Sequence, residues 1–418
     1  MMLKILSLSL LLLIRLEIPK AVATTVNSPT LTISNNVSDN QVIYVNPTQG
    51  DDQGGRGSEN SPFRTITQAL MLASPNSIIM LSPGTYSVES GETFPLILNN
   101  VTIQGSPRSQ GHNTIIRGSG DYISPTGAGQ SVTIVATSGG RLTGVTVTNP
   151  HDRGYGLWLE SANLEITKNT FTRNGGSGIA VNGESQATIS RNLFFHNRGN
   201  GLVVYGKSRV ELRDNTLEKT GFGVSVMENS QIQLENNQII GNRIGVILEG
   251  NAQATLRKNV IEQSTEHGLV AIANAQVDLG TTSESGDNLF ISNRGLDIRN
   301  LTNNTILAVG TQLSGDFEGS LDFGNSLVVD SGDSPVYIPV PPPENPQPLP
   351  VTTSYRVIVS VNEQQEDRIR TLYPGAFATV YSGQRVLQVG LFSNWENAQQ
   401  VLEDLKELGL KEIIMLID

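Results

Sequence analysis

Residues 166–171, ITKNTF, decide the fold, because the same apolar-x-x-Asn-x-apolar pattern returns four more times along the chain. The other copies are ISRNLF (189–194), LRDNTL (212–217), LENNQI (234–239) and LRKNVI (256–261). The asparagines stand at Asn169, Asn192, Asn215, Asn237 and Asn259, at spacings of 23, 23, 22 and 22 residues, with a degenerate copy at Asn288. A period of about 22 residues without a helical pattern predicts a parallel β-solenoid in which one repeat forms one coil.

Alternation within each repeat assigns side chains to the inside and the outside of the coil. The apolar residues three positions before and two positions after each asparagine are expected to point inward. The residues four positions before it are expected to face solvent, and they are Glu165, Thr188, Glu211, Gln233 and Thr255. The asparagines lie where the chain must bend, so their amides, stacked about 4.8 Å apart, predict a structural hydrogen-bonded ladder.

The composition is typical of a turn-rich β protein and excludes several other classes. The chain has 42 glycines, no cysteine, 5% aromatic and 16% charged residues, which excludes a helical bundle, disulfides and thiolate metal sites. Its net charge is −11 and it has no basic stripe interleaved with aromatic residues, so a nucleic-acid partner has no electrostatic support. Because no run of aspartates suits calcium, we expect neither a metal ion nor a cofactor.

The N-terminus predicts export. An apolar run over residues 5–14 follows Lys4, and residues 21–23 (AVA) offer a small-x-small cleavage site, as in a secretory signal peptide. We therefore expect removal of residues 1–23, a linker over 24–40, and a mature protein that is secreted, periplasmic or in the cell envelope. An uncleaved anchor is the alternative, because charged residues separate the apolar run from the cleavage site. No later stretch is apolar enough to span a membrane.

The first part of the solenoid, residues 41–103, differs from the repeats and is expected to cap it. Ser61 before Pro62 predicts a helix N-terminus. One face of the following segment is apolar, with Ile66, Ala69, Leu70 and Ala73. Such a helix can close the end of a solenoid, whose first coil would otherwise expose its core and its edge.

The order YVNPTQGDDQGGRGS (44–58), SPFRTITQAL (61–70) and PGTY (83–86) resembles the N-terminal signature of bacterial DUF1565 proteins in the pectin-lyase-like superfamily. The resemblance extends from residue 41 to around residue 300 and implies a right-handed parallel β-helix. It also brings enzymes into consideration, because that superfamily includes polysaccharide lyases, hydrolases and epimerases. We expect the β-helix domain to span residues 41–330.

A proline-rich spacer precedes a second domain. Eight of the sixteen residues from Pro335 to Pro350 are proline, so residues 331–352 predict an extended polyproline II linker. Residues 353–418 read as strand, helix, strand, strand, helix and strand. A capping box at 393–396 and Gly409 mark the ends of the second helix. The order βαββαβ predicts a small α+β, ferredoxin-like domain.

Within this domain, LQVGLFS (387–393) and the small and apolar residues that follow it resemble the second half of a SPOR domain. The resemblance implies binding of peptidoglycan glycan on the sheet surface. Gln388 offers an amide for sugar hydroxyls, and Phe392 and Trp395 offer apolar faces for a pyranose ring. The alternative is that Phe392 belongs to the core and Trp395 covers the start of the helix.

Two surface columns of the solenoid are candidates for function. Arg173, His196 and Lys219 occupy equivalent positions on three consecutive coils and could bind uronate carboxylates or supply a base. The alternative is a solvated basic edge. An apolar column that includes Trp158 stands two positions after each repeat glycine, where alternation points outward. It predicts a carbohydrate-docking or protein-docking face with Trp158 and Tyr205 as stacking platforms, unless a loop or residues 306–329 cover it.

Together these patterns predict a two-domain envelope protein that binds polysaccharide or peptidoglycan glycan without catalysis. No close pair of acids suits glycoside hydrolysis. The alternative is a secreted polysaccharide lyase or hydrolase that the C-terminal domain tethers to the wall, and a second alternative is a structural envelope spacer. The sequence does not indicate an oligomeric state.

Overall fold

The computed structural model describes residues 41–125, 129–324, 355–360, 365–366, 368–369, 377–381, 384–392, 395–408, 410 and 413–417. The predicted signal peptide (1–23), the linker over 24–40 and the proline-rich linker (331–352) lie outside the described residues. The chain divides into two compact units, Met1–Val329 and Asp330–Asp418, each with a hydrophobic core of its own.

The first unit is a parallel β-solenoid of three sheets, and each full coil adds one strand to each sheet. Sheet 1 contains β1 (Val42–Val45), β2 (Ile78–Leu81), β5 (Val101–Gln104), β9 (Gly140–Thr143), β12 (Asn163–Thr167), β15 (Gln186–Ser190), β18 (Arg209–Arg213), β21 (Gln231–Glu235), β24 (Gln253–Arg257), β27 (Gln276–Asp278), β30 (Ile306–Leu307) and β33 (Leu321–Asp322). Sheet 2 contains β3 (Gly84–Tyr86), β6 (Thr114–Arg117), β10 (Thr146–Thr148), β13 (Thr170–Thr172), β16 (Leu193–Phe195), β19 (Thr216–Glu218), β22 (Gln238–Ile240), β25 (Val260–Glu262), β28 (Leu289–Ile291) and β31 (Gln312–Leu313).

Sheet 3 completes each coil. It contains β4 (Leu96–Leu98), β8 (Gly129–Ala136), β11 (Gly154–Glu160), β14 (Ile179–Asn182), β17 (Asn200–Val204), β20 (Phe222–Val226), β23 (Ile244–Leu248), β26 (His267–Ala271), β29 (Ile298–Asn300) and β32 (Phe317–Glu318). Another strand, β7 (Gly120–Ile123), pairs antiparallel with β8. Two short 3-10 helices, Val88–Ser90 and Pro107–Ser109, lie in the first coils. The predicted parallel β-solenoid is confirmed.

The inward and outward columns lie as the alternation predicts. The apolar residues three positions before the repeat asparagines are at most 1% exposed, and they are Ile166, Ile189, Leu212, Leu234 and Leu256. Two positions after the asparagines, the rings of Phe171 and Phe194 stack with centroids 5.3 Å apart. In the column predicted to face solvent, Glu165, Glu211 and Gln233 are exposed. One side of each strand therefore builds the core, and the other side is free to carry function.

The repeat asparagines form the predicted ladder, called here the first ladder. The side-chain amide of Asn215 donates to Asn237 Oδ1 at 3.1 Å and to the carbonyl oxygen of Ile189 at 2.9 Å. Its backbone N–H donates to the same Asn237 oxygen at 3.0 Å. The residue before each of the five repeat asparagines has a φ of 53–57°, in the left-handed region. The amide bonds thus fix a bend that the backbone alone disfavours.

A second ladder, which the sequence reasoning missed, lies five residues after the first. It runs through Asn149, Asn174, Asn197, Thr220, Asn242, Ser264 and Asn293, all of them buried. Asn174 Nδ2 donates to Asn197 Oδ1 at 2.8 Å, and Thr220 Oγ1 donates to Asn242 Oδ1 at 2.9 Å. Side-chain hydrogen bonds therefore hold a second corner of most coils, and the replacement of asparagine by Thr220 and Ser264 interrupts the series.

The repeat glycines are required because consecutive coils approach closely at the start of the sheet 3 strands. A Cβ atom added to Gly156, Gly178, Gly201, Gly223, Gly245 or Gly268 would lie 2.5–2.8 Å from a carbonyl oxygen of the next coil. Such a contact is too short for carbon, so a side chain there would push the coils apart. The close stacking of the coils therefore explains why glycine recurs at regular intervals in the sequence.

The N-terminal cap contains the predicted helix, but the predicted start of the helix is wrong. Helix α1 (Ile66–Leu72) begins after the N-cap Thr65, whose side chain accepts a hydrogen bond from the N–H of Gln68. Ser61 does not cap it, because the chain up to Phe63 is extended beside β1: Phe63 N–H donates to the carbonyl of Tyr44 at 3.0 Å. Buried Ile66 of α1 lies in the solenoid core, as expected for a cap.

Two carboxylates hold the start of α1. Asp52 accepts hydrogen bonds from the N–H groups of Arg64 and Thr65 at 2.8 and 3.1 Å. Glu92 accepts hydrogen bonds from the N–H groups of Ile66 and Thr67 at 2.7 and 2.9 Å, and burial raises the pKa of this carboxyl above its usual range. The acidic residues of the cap therefore have a structural role.

The second unit contains a four-stranded antiparallel sheet and a helix. The strands are β34 (Tyr355–Val359), β35 (Phe377–Tyr381), β36 (Gln384–Phe392) and β37 (Ile413–Ile417), and they lie in the order β35-β36-β34-β37. Helix α2 (Trp395–Glu407) packs against this sheet through buried Ala398 and Leu405. Helix α2 lies where the capping box and Gly409 predict it, and the ferredoxin-like assignment stays a prediction. No helix in the described parts of the chain is long and apolar enough to cross a membrane.

Replacement of Asn215 by leucine should lower the free energy of unfolding by about 1–3 kcal/mol, because it leaves buried amide and carbonyl groups of the neighbouring coils without partners. Chemical denaturation of the full-length protein measures the effect. Gln238→Leu is the matched control, since Gln238 is an exposed amide on the following coil. Equal stability of the Asn215→Leu variant and the control would contradict a stabilising first ladder.

Candidate functional site

The outer face of sheet 1 carries an open trough of about 780 Å³ between β15 and β30. Parallel strands in register place equivalent residues side by side, so the trough is lined by columns of similar side chains. One column consists of Gln186, Arg209, Gln231, Gln253 and Gln276, and the other consists of Thr188, Glu211, Gln233, Thr255 and Asp278. Amides and hydroxyls thus dominate the lining.

Hydrogen bonds order the glutamine column of the trough. Arg209 Nε donates to Gln231 Oε1 at 3.2 Å, and Gln231 Nε2 donates to Gln253 Oε1 at 3.4 Å. Asn303 and Thr305 line the trough beside β30. The columns run along the stacking direction, so a linear polymer lying in the trough would meet a similar side chain about every 4.8 Å.

The charged residues that line the trough are Arg209, Glu211 and Asp278. Glu211 pairs with Arg213 at 3.6 Å, and Asp278 pairs with Arg257 at 2.9 Å. The two carboxylates lie three strands apart, about 14 Å along the sheet, whereas the acids of an inverting glycosidase lie about 6.5–9.5 Å apart. Over the described residues, no group of three or more His, Cys, Asp or Glu side chains could hold a metal ion.

The apolar column on the outer face of sheet 3 points outward as predicted, but it is covered. Trp158, Ala180 and Val203 are at most 3% exposed and belong to a cluster separate from the main core. Tyr122 of β7 packs against this cluster. Residues 306–322 do not cover it, because they continue the solenoid as strands β30 to β33, and residues 325–329 lie outside the described part of the chain. The non-repeating segment that contains β7 contributes Tyr122 to the cover, in line with the alternative of a covering loop.

Trp158 and Tyr205 are brought together in an aromatic pocket of about 460 Å³, although the face of Trp158 is not open to solvent. The rings of Tyr155 and Trp158 meet edge to face with centroids 5.0 Å apart. Trp158 Nε1 donates to Glu160 Oε2 at 3.0 Å. Burial, followed by Tyr155 and Glu228, raises the pKa of Tyr205 to about 12, so its hydroxyl stays protonated at neutral pH.

The basic column is also assembled as the sequence predicts. Arg173, His196 and Lys219 occupy equivalent exposed turn positions after the sheet 2 strands, with φ of 53°, 55° and 52°. His196 stacks on Phe195 with centroids 3.9 Å apart, and Lys219 Nζ lies 2.7 Å from Glu218. Burial and the nearby Lys219 and Arg173 lower the pKa of His196, which favours the neutral imidazole. This corner of the coil is separate from the trough.

The predicted glycan contacts of the second unit can be placed only by their backbone. Gln388 and Phe392 lie in β36, and Trp395 is the first residue of α2. Their side chains lie outside the part of the chain that the structure describes. The role of these residues in glycan binding stays a prediction.

The sequence reasoning missed the glutamine column, although its signal is present. Gln186, Gln231 and Gln253 each stand six positions before an asparagine of the first ladder. Taken alone, an exposed glutamine on a strand predicts only a solvated surface. The glutamines indicate a binding surface only when the strand register is known, because the register places their amides side by side on one open surface.

Known proteins resemble the solenoid in sequence and in fold. A family model described as "Protein of unknown function (DUF1565)" matches residues 48–254 and 248–316. No curated protein matches the sequence.

Three solved structures share the fold at low identity. Pectate lyase Pel9A is 15% identical, with 68% of this chain and 80% of that chain covered and a TM-score of 0.44. XylC in complex with xylose is 11% identical, with coverages of 67% and 72% and a TM-score of 0.40. Alginate lyase from Paenibacillus sp. str. FPU-7 is 14% identical, with coverages of 68% and 99% and a TM-score of 0.32. Similarity at this level says nothing about activity.

Proposed function

The chain belongs to the DUF1565 family, and we propose that it is a non-catalytic glycan-binding protein of the cell envelope. The trough on the outer face of sheet 1 is the observation that carries the proposal. Its amides and hydroxyls can both donate to and accept from sugar hydroxyls. They repeat on strand after strand along the solenoid axis, and a linear glycan likewise repeats its hydroxyls at a constant interval.

The charges of the trough favour a neutral glycan. Glu211 is paired with Arg213, Asp278 is paired with Arg257, and Arg209 is the single cation in the lining. A polyanionic chain would find no row of cations in this lining, and charge complementarity is what selects such ligands. Neutral sugars need only hydrogen-bond partners and a surface of matching shape, which the trough supplies.

The separation of the acids supports binding over catalysis. Glu211 and Asp278 lie too far apart to act on the same glycosidic bond, and both are ion-paired with arginine. The alternative enzyme would have to use Arg173, His196 and Lys219, which stand at another corner of the coil. A glycan held in the trough would not touch them.

The second unit is proposed to be a SPOR-like module that binds peptidoglycan, in a protein exported to the envelope. The strand order β35-β36-β34-β37, all antiparallel, supports a ferredoxin-like arrangement. Its apolar core includes Val357, Leu387 and Leu405, so the sheet has one buried face. We propose that Gln388 of β36 takes part in binding a glycan strand.

Gln233→Ala combined with Gln253→Ala should weaken glycan binding by the full-length protein about tenfold or more, because each change removes an amide hydrogen bond worth about 1 kcal/mol. An array of neutral and anionic polysaccharides identifies the ligand, and calorimetric titration measures its Kd. Gln238→Ala removes an exposed amide from sheet 2 and should leave the Kd unchanged. A double variant that binds like the wild type, or a wild type that binds no polysaccharide, would contradict the trough as a glycan site.

Gln388→Ala should lower the affinity of the full-length protein for amidase-treated peptidoglycan sacculi about tenfold, near 1.4 kcal/mol. Co-sedimentation measures it, with untreated sacculi binding more weakly. Gln399→Ala is the control, since Gln399 is an exposed amide on α2 that bonds Glu403 at 3.2 Å. Equal sedimentation of the two variants would remove the peptidoglycan role of the second unit.

A further inference from the structure

The aromatic pocket on sheet 3 lies beside the ends of β11, β14 and β17. On β14, Ala180 pairs with Trp158 of β11 on one side and with Val203 of β17 on the other. Tyr205 follows β17 directly and rises beside Asn182, the last residue of β14. Tyr155, Trp158 and Tyr205 line the pocket together with Asn182 and Gly183. The pocket faces away from the trough, which lies on a different sheet.

The walls of the pocket are aromatic and fixed by contacts with each other. Tyr155 and Trp158 meet edge to face, and Tyr155 and Tyr205 both pack against the buried cluster that contains Trp158. Trp158 is anchored by its bond to Glu160, which also accepts a hydrogen bond from Ser124 Oγ at 2.5 Å. Rings that are held in this way keep their electron-rich faces at a constant position, which favours a cation in front of them.

The charges around the pocket are negative in sum. Lys207 and Glu184 line the pocket and neutralise each other at 3.2 Å. Glu228 also lines it, and its carboxylate accepts the N–H of Gly206 at 2.8 Å without a cationic partner among the salt bridges of the described residues. Glu160 lies buried behind Trp158. A ligand that enters therefore meets aromatic faces and an excess of carboxylate.

We propose that the aromatic pocket binds a ring-sized ligand that carries a primary ammonium group, such as a sugar with a free amine. The volume of about 460 Å³ is within the range of small-molecule sites. The ring of the ligand would pack against the half-buried rings of Tyr155 and Tyr205, and its ammonium would lie near the tyrosine faces and the Glu228 carboxylate. Gln130 and Asn182, which also line the pocket, offer amides to the remaining hydroxyls.

Titration of the full-length protein with glucosamine, N-acetylglucosamine, glucose and cadaverine tests this proposal. Glucosamine should bind, and N-acetylglucosamine and glucose should bind at least about tenfold more weakly, because they lack the charge. Cadaverine supplies ammonium without a ring and should also bind more weakly than glucosamine. Equal binding of the three sugars would overturn the requirement for ammonium, equal binding of cadaverine would overturn the requirement for a ring, and no binding of glucosamine would overturn the site.

A matched pair of variants ties the binding to the pocket. Glu228→Gln keeps the shape and the acceptor for Gly206, and it should weaken glucosamine binding about three- to fivefold, since the carboxylate is exposed and screened by water. Glu249→Gln is the control, because Glu249 is exposed on the next coil and does not line the pocket. Equal affinity of the two variants would place the ligand elsewhere. Neither substitution lies in the trough. The result at the aromatic pocket therefore does not depend on whether the trough binds a glycan.

Discussion

The hydrogen bond from each buried asparagine to the next coil is the interaction on which the rest of the structure depends. At each corner the preceding residue takes a left-handed conformation that costs an L-residue about 1–2 kcal/mol. The amides offset that cost, because they satisfy backbone groups that no strand partner reaches. They also connect equivalent residues of neighbouring coils, which fixes the register. A slip by one residue would exchange the inner and outer faces of every strand.

The functional surfaces are consequences of that register. A glutamine on one strand is an ordinary solvated side chain, but Gln231 and Gln253 on neighbouring strands form part of a continuous amide column. The aromatic pocket depends on the same alignment, since the pairing of β14 with β17 brings Tyr205 beside Asn182. The trough is polar and nearly neutral, whereas the pocket is aromatic and acidic, so the two surfaces suit different ligands.

The parts of the fold that repeat could be predicted from the sequence, and the parts that do not repeat could not. The first ladder is visible because every copy keeps asparagine, but Thr220 and Ser264 interrupt the second ladder and hide its period. The predicted helix start is wrong because backbone hydrogen bonds between Phe63 and Tyr44 hold the chain beside β1, and these bonds leave no local signal in the sequence. The β7–β8 hairpin over Trp158 was missed for the same reason. The trough could not be predicted without the register that brings its amides together.

The central claim, that this solenoid binds a glycan and does not cleave it, is tested most directly by the mass of the ligand. Defined oligosaccharides are prepared from the polysaccharide that the full-length protein binds. They are incubated with the protein for several hours at a concentration that saturates it, and their masses are then measured by mass spectrometry. The account predicts that every oligosaccharide keeps its mass and that its Kd is the same at the end as at the start. Shortened or unsaturated products that disappear in the Arg173→Ala or Lys219→Ala variant would contradict it and identify the basic column as an active site.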